Sequence, residues 1–231
     1  MRPVLLALVL AAALRADPPR KMVLALEDNF EGSAVDPAKW VVPSYVPAAN
    51  VRQRDGKLVL SISSPSKDVW NGGAILSKGR LEQSLGYFEA SIRFNRHPGH
   101  HGAFRLIADR APTDNSKFQE IYVAEGFGAD VVVPWHKFND GKALRELKPK
   151  TLQPLPPGKA ADGFNTYGVL WTPREITWYI NDKKVMSTRD GVLQDKLYLS
   201  LSHTVSEFEV NRLDPAKLPD DVEFDWVKAW R

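Results

Sequence analysis

The stretch Glu175-Ile-Thr-Trp-Tyr-Ile-Asn-Asp-Lys-Lys-Val185 contains two β-prone runs that are separated by two turn-forming residues. Such a dipeptide between two β-prone runs is typical of a tight β-hairpin. Comparable short runs, with alternating or nearly continuous apolar residues, recur at Lys57–Ile62, Gly86–Phe94 and Leu197–His203. Past residue 20, the chain lacks the apolar periodicity that would predict a helix longer than two turns. The sequence therefore predicts an all-β protein, built as a two-sheet sandwich or jelly roll.

One proline-rich segment interrupts this pattern of strands. Pro149, Pro154, Pro156 and Pro157 lie close together in the second half of the chain. Proline has no N–H to donate to a strand ladder, so it disfavours regular pairing. We therefore expect residues 144–162 to form one long irregular loop, a kind of segment that is usually functional or mobile.

The composition is that of an ordinary globular protein. The 231 residues are 43% apolar and 26% charged, with a formal net charge of +3, which excludes disordered and low-complexity classes. So small a charge, with no Lys/Arg-rich run, argues against nucleic acid and anionic membranes as partners. Cysteine is absent, which excludes disulfides, thiol nucleophiles and thiolate zinc sites. Since no repeat or linker divides the later sequence, we expect residues 17–231 to form a single domain.

The N-terminus has the pattern of an export signal. Arg2 supplies a positive charge, Val4–Leu14 is an uninterrupted apolar run, and the small residue Ala16 follows. This run is well short of the roughly 20 residues that a membrane-spanning helix needs, and it is typical of a cleaved secretory signal peptide. We therefore expect residues 1–16 to be removed and the mature protein to be secreted or periplasmic, without a membrane anchor.

The segment Phe118-Gln-Glu-Ile-Tyr-Val-Ala-Glu-Gly-Phe-Gly128 carries the strongest chemical signal. Side chains alternate along a strand, so Glu120 and Tyr122 share a face, whereas Glu125 would point the other way. A β-bulge at residues 123–124 would return Glu125 to the face of Glu120. The two carboxyl groups could then approach to about 5–5.5 Å, the separation of nucleophile and acid/base in a retaining glycosidase. The alternative is a solvated strand face with two unrelated carboxylates.

Other segments form a recognisable series with this strand. They lie at residues 27–33, 35–40, 55–60, 72–78, 86–93, 102–104, 164–173, 176–179 and 224–230. In this order they resemble the motifs of glycoside hydrolase family 16, the group of laminarinases, lichenases, agarases and carrageenases. The catalytic strand of that family usually reads Glu-x-Asp-x-x-Glu, and here it reads Glu120-Ile-Tyr-Val-Ala-Glu125. The resemblance covers nearly all of the chain after its N-terminal segment.

The resemblance implies a concanavalin-A-like jelly-roll sandwich of two antiparallel sheets, with a glycan cleft on its concave face. It assigns Glu120 as nucleophile and Glu125 as acid/base, and so implies a retaining endo-glycosidase that acts on a β-glucan or a galactan. Tyr122 stands where the family has the central Asp of the catalytic motif. Its phenol could donate a hydrogen bond to Glu120, or it could fill the space of the sugar. The second outcome favours the alternative function, a carbohydrate-binding protein that has lost turnover.

Arg105 is the first of the residues expected to contact the sugar. It follows Gly102-Ala-Phe104, where the family commonly has a Trp on which the sugar stacks. A planar guanidinium instead suits a carboxylate or a sulfate. We therefore expect Arg105 either to pair with a carboxylate of the cleft, such as Glu120, or to bind a charged sugar.

Four further residues are candidates for contact with the polysaccharide. Trp135 and His136 lie about ten residues after Glu125, where the family often places sugar-contacting groups. Trp70 and Asn71 lie in a loop before two glycines, an arrangement that favours exposure toward the cleft. The alternative for each Trp is ordinary packing, because Trp is commonly half-buried.

Metal binding is considered at two places in the sequence. The three histidines within residues 97–101 lack a following carboxylate at a familiar ligand spacing, so a polar loop at the cleft edge is favoured over a metal site. The resemblance implies a structural calcium on the convex face, bound by Asp225 and by backbone oxygens near Glu27 and Gly56. No cofactor is expected to be required, and the chain is expected to be a monomer.

Overall fold

A computed structural model describes residues 22–109, 117–128, 132–148 and 159–231. The signal peptide expected at residues 1–16 lies outside the described residues. Within the described ranges, no helix has both the length and the apolar character needed to cross a membrane.

The described residues are mostly in β-strands. The first of them in chain order are β1 (Leu24–Asp28), β2 (Val51–Gln53), β3 (Leu58–Leu60), β4 (Ser63–Ser66), β5 (Val69–Asn71), β6 (Gly73–Leu76), β7 (Glu82–Gln83), β8 (Gly86–Arg93) and β9 (His100–Ile107). They are followed by β10 (Phe118–Gly126), β11 (Val132–Asn139), β12 (Leu144–Leu147), β13 (Asn165–Trp171), β14 (Ile176–Ile180), β15 (Lys183–Thr188), β16 (Leu197–Val205) and β17 (Val222–Trp230). Helical structure in these ranges consists of α1 (Lys159–Asp162) and 3-10 turns at Ala48–Asn50, Val210–Arg212 and Pro215–Lys217.

The strands form two large antiparallel sheets. The first has the order β15-β14-β13-β8-β17-β3-β2, with β1 also pairing with β17. The second has the order β12-β11-β10-β9-β16-β6, with β7 also pairing with β16. A small separate hairpin joins β4 and β5. This arrangement is the jelly-roll sandwich that the sequence predicts.

The core lies between the two sheets because alternate side chains of each strand point inward. In the first sheet, Phe88 of β8 and Trp178 of β14 are fully buried, and in the second sheet Phe104 and Leu106 of β9 are fully buried. Burying such a side chain stabilises the fold by about 1.5–3 kcal/mol relative to exposure. The residues that alternate with those of β9 lie on the outer face of the second sheet, and this face carries the candidate site.

The hairpin of β14 and β15 has the predicted turn. Ile180 pairs with Lys183, so Asn181 and Asp182 form a two-residue connection. Both have positive φ, 48° and 64°, as the tight turn that matches the twist of the strands requires. Asn and Asp tolerate this left-handed conformation better than most residues. The hairpin prediction is confirmed.

The prediction of an irregular loop over residues 144–162 was wrong at both ends. Residues Leu144–Leu147 form β12, which pairs with β11 at the edge of the second sheet. The closing residues Lys159–Asp162 form the short helix α1. Proline prevents pairing only where it stands, and the first proline of the segment comes after β12 has ended. The rest of the segment, residues 149–158, lies outside the described residues.

Candidate active site

The strand β10 lies between β9 and β11, and a β-bulge interrupts its pairing on both sides. The register with β11 shifts between Tyr122 and Glu125, and the register with β9 shifts between Tyr122 and Ala124. Val123 and Ala124 are both buried in the core, although consecutive strand residues normally point to opposite faces. The extra inward-facing residue returns Glu125 to the outer face that carries Tyr122. The bulge predicted from the sequence is confirmed.

A tryptophan of the opposite sheet binds the backbone of this bulge. The indole Nε1 of Trp178 on β14 donates a hydrogen bond of 2.9 Å to the carbonyl oxygen of Tyr122. A bulge disrupts the local ladder, so a buried carbonyl there needs a partner from elsewhere. Trp178 supplies that partner across the core.

The first carboxylate of the pair is held by a tyrosine. The Tyr122 hydroxyl donates a hydrogen bond of 3.0 Å to Oε2 of Glu120. Burial, followed by the charge of Glu120, raises the pKa of Tyr122 above its ordinary value, so the phenol keeps its proton and acts as a donor. The ring of Tyr122 stacks on Trp135, with ring centroids 3.9 Å apart. This stacking fixes the direction in which the hydroxyl points.

Arg105 acts on Glu120 through the tyrosine. Its Nη1 donates to the Tyr122 hydroxyl at 3.5 Å, and its guanidinium lies 5.4 Å from the centre of the Tyr122 ring. Among the described residues Arg105 forms no ion pair, and its buried Nε has no hydrogen-bond partner there. The expected direct pairing of Arg105 with Glu120 is therefore not observed, because the phenol of Tyr122 occupies the position between them. Arg105 is partly exposed and lines the cleft described below.

The second carboxylate has a different partner. Glu125 Oε1 lies 2.6 Å from Nε2 of His101, which projects from β9. The His101 ring stacks on Phe127, with centroids 5.2 Å apart and an angle of 8° between the planes. Only 7% of Glu125 is exposed, whereas Glu120 is half-buried. The two carboxylates thus have different donors and different access to solvent.

A cleft of about 360 Å³ lies on the outer face of the second sheet. Tyr122, Glu125, Arg105 and Trp135 line it, as the sequence predicts for a common site. Glu120 is not among the residues that line it, and it is connected to the lining by its hydrogen bond with Tyr122. His101 was not predicted from the sequence as a partner of Glu125. The other lining residues were not predicted either, and they are Phe127, Lys137, Glu146, Thr204, Val205, Ser206, Glu207 and Phe208. Phe208 is 89% exposed, so the cleft has an aromatic rim beside the end of β16.

Trp135 and His136 point to opposite faces of β11. Trp135 lines the cleft, where Lys148 lies 4.8 Å from the centre of its ring. His136 is fully buried in the core and stacks on Phe138. Adjacent residues of a strand that is not interrupted by a bulge point to opposite faces, so the expectation that both contact the sugar was wrong for His136.

Trp70 and Asn71 lie on β5 and are not among the residues that line the cleft. Both are half-buried, and the backbone oxygen of Asn71 accepts a hydrogen bond from Asn50. The residue after them, Gly72, has no room for a side chain, since an added Cβ would lie 2.4 Å from the carbonyl oxygen of His203. This close approach joins β5 to the end of β16. Sugar contact by Trp70 or Asn71 stays a prediction.

The buried His136 makes the stability of the fold sensitive to acid. Neither ring nitrogen has a hydrogen-bond partner among the described residues, and burial lowers the pKa of His136 to about 3. The unfolded chain binds this proton near its ordinary pKa of about 6.5, so the free energy of unfolding falls as the pH drops below about 6.5.

His136→Leu is therefore expected to remove part of this acid sensitivity. Urea titrations give the free energy of unfolding of the variant and of the native protein at pH 5 and at pH 7.5. We expect the difference between the two proteins to favour the variant by about 2 kcal/mol more at pH 5 than at pH 7.5. The comparison of two pH values cancels the change in packing, which is common to both. A difference in the free energy of unfolding that is the same at both pH values would contradict the lowered pKa of His136. His203 has a similarly lowered pKa, about 3, from burial, so some acid sensitivity should persist in the variant.

The three neighbouring histidines have separate partners. His97 Nδ1 lies 3.0 Å from Asp220 Oδ2, the buried His100 lies 3.0 Å from His203, and His101 contacts Glu125. In the part of the chain that the structure describes, no group of three or more His, Cys, Asp or Glu side chains could hold a metal ion.

The expected calcium ligand Asp225 lies at a register shift in β17, where the pairing with β8 is interrupted. It is half-buried, and the neighbouring candidate Glu27 is paired with Lys228 at 2.8 Å. A calcium ion there would need backbone oxygens among its ligands, as predicted from the sequence. This site stays a prediction.

The family model described as "Glycosyl hydrolases family 16" matches residues 43–228. The chain is 26% identical to an endo-1,3-1,4-beta-glycanase of Rhizobium meliloti over 83% of its own length, and it spans 43% of that relative. It is 22% identical to beta-porphyranase B of Zobellia galactanivorans, over 91% of this chain and 84% of the relative. The crystal structure of a kappa-carrageenase of Zobellia galactanivorans matches with a TM-score of 0.74 at 17% identity, over 94% of this chain and 98% of that one, which shows a common fold.

Proposed function

The chain belongs to glycosyl hydrolases family 16, and we propose that it is an endo-acting glycosidase that hydrolyses β-glycosidic bonds of a polysaccharide with retention. The observation that carries the proposal is the pair Glu120 and Glu125, which the bulge of β10 directs to one face. The relatives with printed activities are β-glycanases and a β-porphyranase, which supports the class of reaction. The chain spans less than half of the R. meliloti glycanase, so we infer activity from the paired carboxylates and their neighbours.

In the first step, Glu120 is the nucleophile. Tyr122 donates to Oε2 of Glu120, which leaves the other carboxylate oxygen to attack the anomeric carbon. The glycosidic C–O bond breaks, and its electron pair stays on the oxygen of the departing sugar. Glu125 gives its proton to that oxygen, and a glycosyl ester on Glu120 results.

In the second step, water releases the sugar from Glu120. Glu125, now a carboxylate, accepts a proton from the water, whose oxygen attacks the anomeric carbon. The ester C–O bond breaks, and its electrons return to Glu120. Two displacements at one carbon give net retention. The two carboxylates differ in their surroundings, because Glu120 accepts a hydrogen bond from the phenol of Tyr122 and Glu125 is the more buried of the two.

The experiment that tests this proposal is incubation with a panel of polysaccharides. Neutral β-glucans, agar and sulfated galactans are each treated with the protein, and the products are sized over time. We expect one class to shorten rapidly to oligosaccharides, as internal cleavage requires. The NMR spectrum of the first products should show the new reducing end in the β-configuration. Cleavage with an initial α-configuration would contradict retention, and binding without cleavage would favour the second candidate function.

That second candidate is a carbohydrate-binding protein without turnover. The observation that favours it is the stacked pair Tyr122 and Trp135, because these rings occupy the floor of the cleft beside Glu120. A phenol here takes more room than the Asp that the family pattern has at this position. The hydrogen bond from Tyr122 to Glu120 favours the enzyme, since it holds the carboxylate in a defined orientation.

We propose that Arg105 binds an anionic group of the sugar. Its guanidinium is partly exposed in the cleft and lacks a carboxylate partner among the described residues. A charge-assisted hydrogen bond to sulfate or carboxylate is stronger than a neutral one, so losing it should cost about 1.5–3 kcal/mol of binding.

Arg105→Ala is therefore expected to weaken the binding of sulfated galactans about 10- to 100-fold and of neutral β-glucans less than about 3-fold. Dissociation constants are measured by calorimetry at one ionic strength. Arg105→Lys is the matched control, because it keeps the charge without the planar fork, and it should weaken binding to an intermediate degree. Equal losses on charged and neutral polysaccharides would contradict the proposal.

We further propose that the protein is exported, on the pattern of residues 1–16. A polysaccharide is too large to enter a cell intact, so an enzyme that cleaves internal bonds of such a polymer meets it outside the cytoplasm. Expression with the native N-terminus, followed by mass spectrometry of the exported protein, tests this. A product that keeps residues 1–16 would contradict it.

A further inference from the structure

His101 reaches Glu125 from the neighbouring strand by a diagonal contact. On β9, Ala103 is the residue directly opposite Glu125, and His101 lies two positions before it on the same face. Diagonal neighbours on one face of a sheet are within reach of long side chains. The resulting contact, 2.6 Å between Nε2 and Oε1, is short for a nitrogen–oxygen hydrogen bond. Glu125 is 7% exposed, so this bond lies where water competes little.

The orientation of the His101 ring is fixed by its surroundings. Phe127, which follows the end of β10, stacks on it almost in parallel. On the other side of β9, the backbone of His101 pairs with Thr204 of β16, whose side chain also lines the cleft. A ring held in this way presents one nitrogen to Glu125 without first having to find its rotamer.

We propose that His101 is a positioning residue for the general acid, and the inference rests on the proposed function. In its first step Glu125 must carry a proton and deliver it to the glycosidic oxygen. A protonated carboxyl has one O–H donor and one oxygen that only accepts. When His101 donates its Nε2–H to Oε1, that oxygen becomes the acceptor, and the acidic proton resides on Oε2. The histidine thereby selects which oxygen of Glu125 is the acid.

The same bond serves the second step. Glu125 is then a carboxylate, and His101 continues to occupy Oε1, so Oε2 accepts the proton of the incoming water. The proton leaves from and returns to one oxygen, and His101 itself neither gains nor loses a proton. Glu120 needs no such selection, because a nucleophile carries no proton, and its donor is the phenol of Tyr122.

The test compares two variants on two leaving groups. His101→Phe keeps a flat ring that can stack on Phe127 but has no N–H to donate. His101→Gln loses the stack and keeps an N–H near the position of Nε2. Each is assayed on an oligosaccharide of the cleaved polymer, whose departing sugar needs a proton, and on a dinitrophenyl glycoside with the same sugar. The dinitrophenolate leaves without protonation, so general acid catalysis contributes little to it.

We expect His101→Phe to lower kcat/KM about 10- to 100-fold on the oligosaccharide and less than about 3-fold on the dinitrophenyl glycoside. His101→Gln should recover most of the loss on the oligosaccharide. Because kcat/KM reports the step up to formation of the glycosyl ester, it isolates the function of the acid. Rates are divided by the folded fraction from thermal unfolding, and the smaller His101→Leu replaces His101→Phe if the latter folds poorly.

Three results would overturn the inference or its premise. Equal losses on both substrates would assign His101 a purely structural function. A His101→Gln variant as slow as His101→Phe would show that the N–H donor is irrelevant. Both of these outcomes leave the proposed function intact, since the unaltered protein still cleaves. Failure of the unaltered protein to cleave either substrate would instead overturn the proposed function, and the inference with it.

Discussion

Replacing Glu120 by Gln is expected to lower kcat/KM by at least about 10³-fold on every substrate that the protein cleaves, dinitrophenyl glycosides included. An amide has nearly the shape of a carboxylate but cannot displace a leaving group at the anomeric carbon. The loss should therefore not depend on the leaving group, in contrast to the loss expected for changes at Glu125 or His101. Tyr122 can still donate to the amide oxygen, so polysaccharide binding should change less than about 3-fold.

The matched control is Glu175→Gln, which makes the same chemical change in the other sheet. Glu175 precedes β14, lies 3.6 Å from Lys184 and is not among the residues that line the cleft. Its replacement should leave kcat/KM within about 2-fold of the original value, since exposed ion pairs contribute little. A Glu120→Gln variant that retains a tenth of the native rate would exclude Glu120 as the nucleophile.

Replacing Trp178 by Phe is expected to lower the free energy of unfolding. The change removes the indole N–H that satisfies the Tyr122 carbonyl, and it leaves a small cavity between the sheets. A buried carbonyl without a partner costs about 1–3 kcal/mol, and the cavity adds to this. We expect urea titrations to show a loss of about 2–4 kcal/mol in the free energy of unfolding, together with a lower kcat/KM.

Trp171→Phe is a closely matched control for Trp178→Phe. Trp171 and Trp178 are both fully buried in the first sheet, on the adjacent strands β13 and β14. The indole nitrogen of Trp171 has no hydrogen-bond partner among the described residues. Its replacement thus removes the same volume without orphaning a carbonyl, and it should cost about 1 kcal/mol with no change in kcat/KM. Equal losses for the two variants would mean that the bond to the bulge does not stabilise it.

Much of the local structure could be predicted because its causes are local. The hairpin follows from two residues that tolerate positive φ. The bulge follows from the alternation of side chains along a strand, because Glu120 and Glu125 are five residues apart and one extra residue is needed to bring them to one face. The fold class follows from the spacing of short apolar runs. These features depend on a few adjacent residues, and such residues are visible in the sequence.

The errors arise where the answer depends on a neighbouring strand. A slip of one residue reverses the faces of a strand, and nothing near Trp135 and His136 in the sequence indicates which of the two points inward. The contact of His101 with Glu125 depends on the register between β9 and β10, which the intervening residues do not reveal. One signal was present, because His101 and Arg105 are four residues apart and must share a face of one strand.

The attachment of the bulge also bears on how this site can change in evolution. Trp178 bonds to the main chain of position 122, and every amino acid has the same carbonyl there. A substitution at that position therefore alters the floor of the cleft without releasing the strand distortion that directs Glu125. The sequence predicts that Tyr122 is one such exchange, since the motif that this strand resembles has Asp there. The side chain at position 122 can therefore vary while the backbone of the bulge stays in place. New substrate preferences can arise there without loss of the paired carboxylates.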